Sequence, residues 1–343
     1  MKSYRAAIIG CGPRAWWHAK AYEQISRGSL VACCNRGEQR LNEFSQQFNL
    51  RAYHDAGEML QVEKPDLVHL VTGPDSRVEL MQLIDAAGVA ACIVEKPLAR
   101  EVADWKQLLA LEATARTKFA LCHQFRWHAD LTHCREALAS GDLGAVRFMD
   151  FSAGMNISGQ GTHILDYAMS LNADSPITRV FGAAHGVQEM TRFHPGPDTT
   201  VGQVLFANGV YAMWNNGITA QRVGNPETTW QHVRVAAYAE KGHALWEEFG
   251  KWEVVSPNRH EEGRISSMAQ WEAGNHAAQA AQINAMFDWI EDDSKPAGAN
   301  LRRGIHQWQV VLGLYASALW RKPIDIPFDV PDSLFTDLAK ALS

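Results

Sequence analysis

Glu95, Lys96 and Pro97 stand directly after the apolar run 89–94, so an ammonium group sits where a buried strand ends. Open α/β sheets bind their ligands outside the carboxyl ends of the strands, and a lysine there is placed to touch something. A second candidate opens the chain. The apolar run 6–9 leads into Gly10-Cys11-Gly12-Pro13-Arg14-Ala15, a G-x-G-x-x-A turn that begins a helical stretch and reads as a dinucleotide phosphate loop. There Gly12 lets the backbone approach a pyrophosphate and Ala15 permits close packing of helix on strand. The helix N-terminus adds N–H donors and a positive dipole.

An acidic residue about 20 positions past such a turn normally binds the adenosine ribose of NAD. Here the second apolar run ends Cys34-Asn35-Arg36, with no carboxylate. Asn35 does not repel a 2′-phosphate and Arg36 offers it a fork of donors, so NADP is favoured over NAD. The competing reading makes Arg36 a solvated surface residue and leaves Asn35 on the ribose of NAD. Thr72-Gly73-Pro74-Asp75 follows the run 66–71 and would close the cleft on its nicotinamide side, although an ordinary strand-to-helix turn looks similar.

Further along, Gly159-Gln160-Gly161-Thr162 precedes the stretch 163–171. A helix capped by Thr162 places His163, Asp166, Tyr167 and Ser170 on one face, opposite Ile164, Leu165, Ala168 and Leu171. A histidine backed by a carboxylate suits proton transfer near neutral pH, whereas the commoner origin of such a stripe is a plain polar face. Cys122, His123, His128, His133 and Cys134 crowd one segment without an i, i+4 histidine pair or a C-x-x-C, and no metal is expected. Trp127 and Trp214 are the best placed of the 12 tryptophans to stack on a sugar, the rest reading as core.

The elements that carry these residues follow from periodicity. Strands at 5–9, 29–34, 51–53, 66–71 and 89–94 alternate with helical stretches at 14–27, 37–48 and 75–87, the βαβ rhythm of a doubly wound parallel sheet. After about residue 121 the rhythm changes. Strand 146–151 and hairpin turns at Asn208-Gly209, Lys241-Gly242 and Phe249-Gly250 imply an antiparallel sheet, with helices at 275–291 and 301–320. The expected organisation is α/β: a Rossmann dinucleotide-binding domain over 1–121 and an α+β substrate-binding and oligomerisation domain over 122–343.

Composition narrows the rest. A length of 343 residues suits about two domains. A net charge of −6 gives no electrostatic case for nucleic acid. No apolar run approaches a membrane span, and six cysteines without a disulfide spacing read as buried thiols in a reducing compartment, so a cytoplasmic location is expected.

Taken in order, these motifs resemble the Gfo/Idh/MocA family (glucose-fructose oxidoreductase, inositol dehydrogenase and MocA). The carriers are Gly10-Cys11-Gly12, Thr72-Gly73-Pro74, Glu95-Lys96-Pro97, His123-Gln124-Phe125-Arg126, Gly141-Asp142-Leu143-Gly144 and Gly161-Thr162-His163-Ile164-Leu165-Asp166. The resemblance implies a C-terminal domain on an open antiparallel sheet, a homodimer or homotetramer, and a cis bond before Pro97. It implies hydride transfer between NAD(P) and a secondary alcohol or ketone of a sugar, sugar acid or cyclitol, with Lys96 and His163 flanking the reacting oxygen and Asp166 behind the histidine. Cofactor contacts implied or read from the turns are Gly10, Cys11, Gly12, Pro13, Arg14, Ala15, Asn35, Arg36, Thr72, Gly73, Pro74, Arg77, Glu95, Lys96 and Gln124. Candidate substrate contacts are Lys96, Arg126, Asn156, Gln160 and His163. Two positions depart from the family pattern, Gly159 where many members carry aspartate and Arg77 where many carry histidine. The alternatives are a glycosidase using transient oxidation of the sugar and a non-catalytic dinucleotide-binding sensor.

Overall fold

A computed structural model describes residues 3–192, 194–223 and 229–343. Strands β1 (Tyr4–Ile9), β2 (Gly28–Cys34), β3 (Arg51–Tyr53), β4 (Leu67–Leu70), β5 (Ala91–Val94) and β6 (Lys118–Leu121) form one parallel sheet in the order β3-β2-β1-β4-β5-β6. Helices α1 (Pro13–Ala21), α2 (Glu38–Phe48), α3 (Ala56–Glu63), α4 (Arg77–Ala86) and α5 (Val102–Thr114) connect them. Strand order reverses between β1 and β4, which is where a doubly wound sheet opens its crevice. Every residue of β4 and β5 is buried, so these strands read as near-continuous apolar runs, interrupted in β4 by His69, rather than as alternation.

Register brings the candidate residues to one edge. Tyr53, Cys34, Ile9, Leu70, Val94 and Leu121 lie in a single row across the sheet. The next backbone bonds continue it, with Asn35 N donating to Tyr53 O, Gly10 N to Cys34 O, Val71 N to Ile9 O, Glu95 N to Leu70 O and Cys122 N to Val94 O. Five separate strand ends therefore leave the sheet at the same level.

Apolar side chains cover both faces. Ile8 and Cys33 pack on Ala15 and Ala19 of α1 and on Leu41 and Phe44 of α2. On the other face Tyr4, Ala6, Ile93 and Ala120 meet Ile283, Met286 and Phe287 of the late helix Met268–Glu291, where the Tyr4 and Phe287 rings stack 4.4 Å apart. The first compact unit thus comprises the chain through Ala99, Ala103–Trp127 and Ala273–Ile305. The segment 273–305, read from sequence as part of the C-terminal domain, packs with the first unit because its apolar face is buried on the parallel sheet. Two further differences from the expected pattern are local. Helix α1 stops at Ala21 and gives way to a 3₁₀ turn over Tyr22–Gln24, and the pair α5 and β6 extends the sheet past β5.

The second unit holds Arg100–Val102, His128–Glu272 and His306–Ser343. Its helices are α6 (Ala129–Ala139), α7 (Thr162–Leu171) and α10 (Leu334–Leu342), with parts of α8 (Met268–Glu291) and α9 (Leu301–Trp320). Its sheet runs β14-β13-β12-β11-β7-β10-β9-β8-β15. The ranges are β7 (Val146–Ala153), β8 (Ile177–His185), β9 (Thr199–Phe206), β10 (Tyr211–Gly217), β11 (Val233–Ala239), β12 (Gly242–Glu247), β13 (Lys251–Ser256), β14 (Arg259–Arg264) and β15 (Ile324–Asp325). All pairs are antiparallel except β7 with β10, so the sheet is mixed. The turns at Gly209, Gly242 and Gly250 each separate consecutive strands, as the sequence indicates. One face carries α7 against β7 and β11. The other presents Tyr238, Phe148 and Tyr211 in one register row and Met213 and Phe181 in the next, all exposed.

Candidate active site

The glycine turn is shaped by two different constraints. Gly10 has φ of +99°, and a Cβ there would lie 2.2 Å from Val71 O, so only glycine fits. A Cβ on Gly12 would meet no atom within 4 Å, leaving an open cradle at the start of α1. No side chain caps α1, whose N-cap is Gly12 and whose first residue is Pro13. A helix N-terminus without a side-chain cap, its positive dipole and open backbone match what a pyrophosphate requires. Asn35 secures this turn: its Oδ1 accepts from Cys11 N at 3.2 Å and its Nδ2 donates to Gly37 O at 2.9 Å. Arg36 is exposed.

Behind the turn, Glu95 is the hub. It is buried at the end of β5, and its Oε1 accepts from Arg14 Nε at 2.9 Å and His18 Nε2 at 3.0 Å, while Oε2 accepts from Lys96 N at 3.3 Å. Burial alone would raise the Glu95 pKa, but Arg14, the His18 hydrogen bond and Lys96 outweigh it and hold the carboxyl well below the usual range. Arg14, read as a cofactor contact, thus turns its guanidinium inward, where Nη2 also donates to Gln279 Oε1 at 3.4 Å and approaches Cys122 Sγ at 3.7 Å. Cys122 Sγ, His18 and Glu95 converge within 4.8 Å. The guanidinium supplies the positive charge of that cluster.

From His18 the network continues. His18 Nδ1 lies 2.9 Å from His69 Nδ1, and Tyr22 Oη lies 2.8 Å from His69 Nε2. Both histidines are fully buried, and burial lowers the pKa of each, with Glu95 opposing for His18 and His18 reinforcing for His69. Sequence reasoning missed this pair. The available signal was a histidine inside the otherwise apolar strand β4.

Lys96 is half-buried, and burial lowers its pKa against the opposing pull of Glu95. The Lys96–Pro97 peptide is cis. Arg77 braces this turn. Buried, with its pKa pushed down to about 10 by desolvation, it donates to Pro97 O and, at 2.5 Å, to Thr72 O. The guanidinium thus ties the turns after β4 and β5 to each other. Gln124 is buried and donates to Asn275 Oδ1 at 3.1 Å, and Arg126 is buried over Gly298.

In the second unit, α7 is preceded by a π-helical turn over Ile157–Gly161, so Thr162 does not cap it. Asn156 caps that turn, accepting from Gly159 N at 2.8 Å and donating to His194 O at 2.8 Å. Gln160 accepts from Met155 N at 3.1 Å and donates to Trp230 O at 2.6 Å. Both amides read as substrate contacts also hold the backbone of neighbouring segments. Every residue of α7 except His163 is buried, so the stripe is no ordinary polar face. His163 Nδ1 lies 3.2 Å from Tyr167 Oη, and fully buried Asp166 accepts from Gln307 Nε2 at 2.8 Å. Trp214 is buried against Phe151 and bonds Asn216, a core residue and no sugar platform.

Residues 4–123 match the model of an oxidoreductase family with an NAD-binding Rossmann fold, Gfo/Idh/MocA. A D-apiose dehydrogenase from Paraburkholderia graminis is 32% identical over 205 residues, 54% of each chain. The chain spans about half the length of the curated relatives it matches. An oxidoreductase from Agrobacterium radiobacter, solved with NAD+, L-tartaric acid and magnesium, superposes with a TM-score of 0.80 at 19% identity, covering 94% of this chain and 98% of that one. The myo-inositol 2-dehydrogenase from Lactobacillus plantarum gives 0.74 at 18% identity, covering 95% and 100%. At these identities the two structures establish a shared fold.

The buried histidines set an acid limit on stability. Below the ordinary histidine pKa of 6.5 the unfolded chain takes up protons that the folded His18 and His69 refuse, so stability falls as pH falls. Glu95 adds a further loss below 4.5, where the unfolded carboxyl protonates first. Each histidine contributes a slope of up to about 1.4 kcal/mol per pH unit. Urea unfolding between pH 7 and pH 5 is expected to show this decline, and His69→Asn to flatten it; an unchanged slope in the variant would exclude His69 as a source.

Proposed function

We propose that the protein is an NAD(P)-dependent oxidoreductase acting on a secondary alcohol or ketone of a sugar, sugar acid or cyclitol. The observation that carries this reading is the convergence, at one sheet edge, of an open glycine cradle and a lysine held beside an ionised buried glutamate. The names of the relatives, a D-apiose dehydrogenase and a myo-inositol dehydrogenase, support the substrate class. The first unit is the dinucleotide-binding domain, and the second supplies substrate contacts and subunit association.

When bound, the nicotinamide supplies the hydride acceptor or donor. Gly10, Cys11, Gly12 and the N-terminus of α1 would hold the pyrophosphate, and the turn at Thr72-Gly73-Pro74 would bound the nicotinamide side. Lys96 donates a hydrogen bond to the reacting oxygen and stabilises negative charge developing on it. His163, half-buried and beside the Tyr167 hydroxyl at Nδ1, is the group that accepts or returns the alcohol proton. Asp166, anchored by Gln307, stands one helical turn away as a buried carboxylate in the same helix. Lys96→Met and His163→Ala are each expected to lower kcat by roughly 10² or more with dinucleotide affinity retained. Near-normal turnover in either variant, with native circular dichroism, would remove that residue from the mechanism. Reduction of added NAD(P) by sugars distinguishes the dehydrogenase from a glycosidase, which cleaves without net reduction, and from a sensor, which does neither.

For the cofactor, NADP is proposed over NAD because exposed Arg36 follows β2 where no carboxylate stands. Arg36→Ala is expected to weaken NADP(H) more than NAD(H); equal losses in titration calorimetry would defeat the preference.

The second unit is proposed to associate with further copies through its uncovered sheet face. Phe148, Phe181, Tyr211, Met213 and Tyr238 are too many exposed apolar side chains in adjacent register rows for a solvated surface. Phe181→Glu with Met213→Glu is expected to convert a homodimer or homotetramer to smaller species in sedimentation velocity, and a monomeric native protein would refute the assignment.

A further inference from the structure

Resting on the role of Lys96 above, we propose that Tyr22, His69 and His18 form a one-way chain of hydrogen-bond donors that fixes Glu95 as an ionised acceptor beside Lys96. His69, in the middle of β4, is then a positioning residue for the Lys96 proton. The chain is continuous, with links of 2.8 Å from Tyr22 Oη to His69 Nε2, 2.9 Å between the two histidine Nδ1 atoms and 3.0 Å from His18 Nε2 to Glu95 Oε1.

Its direction follows from the far end. Ionised Glu95 can only accept, so His18 donates from Nε2. A neutral imidazole then has its lone pair at Nδ1, and the atom facing it, His69 Nδ1, carries the hydrogen. The lone pair of His69 falls on Nε2, where the Tyr22 hydroxyl donates. Reversing any one link sets two hydrogens or two lone pairs against each other in buried space, a loss on the scale of an unmade buried hydrogen bond. The Tyr22 hydroxyl can serve as either donor or acceptor, which makes it a suitable terminus.

The charged and titratable groups facing Lys96 in this unit are Glu95, Arg14, Cys122 and Arg77. Two are cations and the thiol is neutral, its pKa raised by burial and by Glu95. Glu95 is an anion of that set, and its charge favours the ammonium form of Lys96 as pH rises. The groups facing Glu95 in turn are Arg14, His18 and Lys96. A His18 that lost its partner at Nδ1 would be free to place its hydrogen there and turn a lone pair toward Glu95. The carboxylate would be less favoured, and Lys96 would deprotonate at lower pH.

The test begins with ¹⁵N NMR of the full chain labelled at histidine, with signals assigned by their loss in His18→Gln and His69→Asn. We expect His18 protonated at Nε2 and His69 at Nδ1 near neutral pH; the opposite tautomers, or a charged imidazole at either position, would overturn the chain whatever the activity. The second arm is the pH profile of kcat/KM. His69→Asn keeps an amide donor where Nδ1 stood and should leave the high-pH limb in place, whereas His69→Leu should move it to lower pH by about half a unit or more. An unmoved limb in His69→Leu with native circular dichroism would overturn the positioning role. If His69→Leu does not fold, Tyr22→Phe is read by the same limb with the same expected direction. Failure of the Lys96 reading is separable, because undiminished turnover in Lys96→Met would remove that reading while the tautomers stood as found.

Discussion

One carboxylate oxygen organises the first unit. Glu95 Oε1 receives both Arg14 from the glycine turn and His18 from the helix that follows it. An isolated buried carboxylate would be disfavoured by several kcal/mol, and removing one partner of a buried pair leaves the other uncompensated. The glycine turn, the end of β5 and the histidine in β4 are therefore energetically one assembly. Cys122 at the end of β6 and Gln279 of α8 complete its rim. A site made of loops from five strands acquires rigidity in this way without a loop having to be rigid itself.

The parallel sheet and its glycine turn were legible because both are written locally. Apolar runs of strand length and a G-x-G-x-x-A junction need only neighbours in sequence. Lys96 was legible for the same reason, standing at the end of such a run. What the sequence hid was who touches whom at long range. Arg14 reads as a phosphate ligand from its place in the turn, yet a carboxylate 81 positions away holds its guanidinium. That the amides of Asn156 and Gln160 bond backbone groups of the segments around residues 194 and 230 has no local sign in the sequence either. The segment 273–305 could not be assigned to the parallel sheet from its own pattern, since an apolar helix face does not say what it covers. Strand β14, Arg-His-Glu-Glu-Gly-Arg, carries no apolar alternation because it is a sheet edge and is set by pairing with β13 alone.

In the second unit the same economy of backbone satisfaction shapes the histidine. A π-helical turn leaves backbone groups that an α-helix would pair, and Asn156 takes one of them. Helix α7 can then begin inside the protein with His163 as its least buried residue. Tyr167, one turn later, holds the ring from the Nδ1 side.

The nine-stranded sheet ends in two strands unlike the others. One border, β14, is six residues with four charged side chains and a histidine, and the other, β15, is two residues long. Exposed strand borders recruit further strands and seed fibrils, and charge or brevity at the border is how soluble proteins prevent it. With both borders blunted, edge-to-edge growth of this sheet is disfavoured. A broad apolar face can then coexist with resistance to amyloid-like growth.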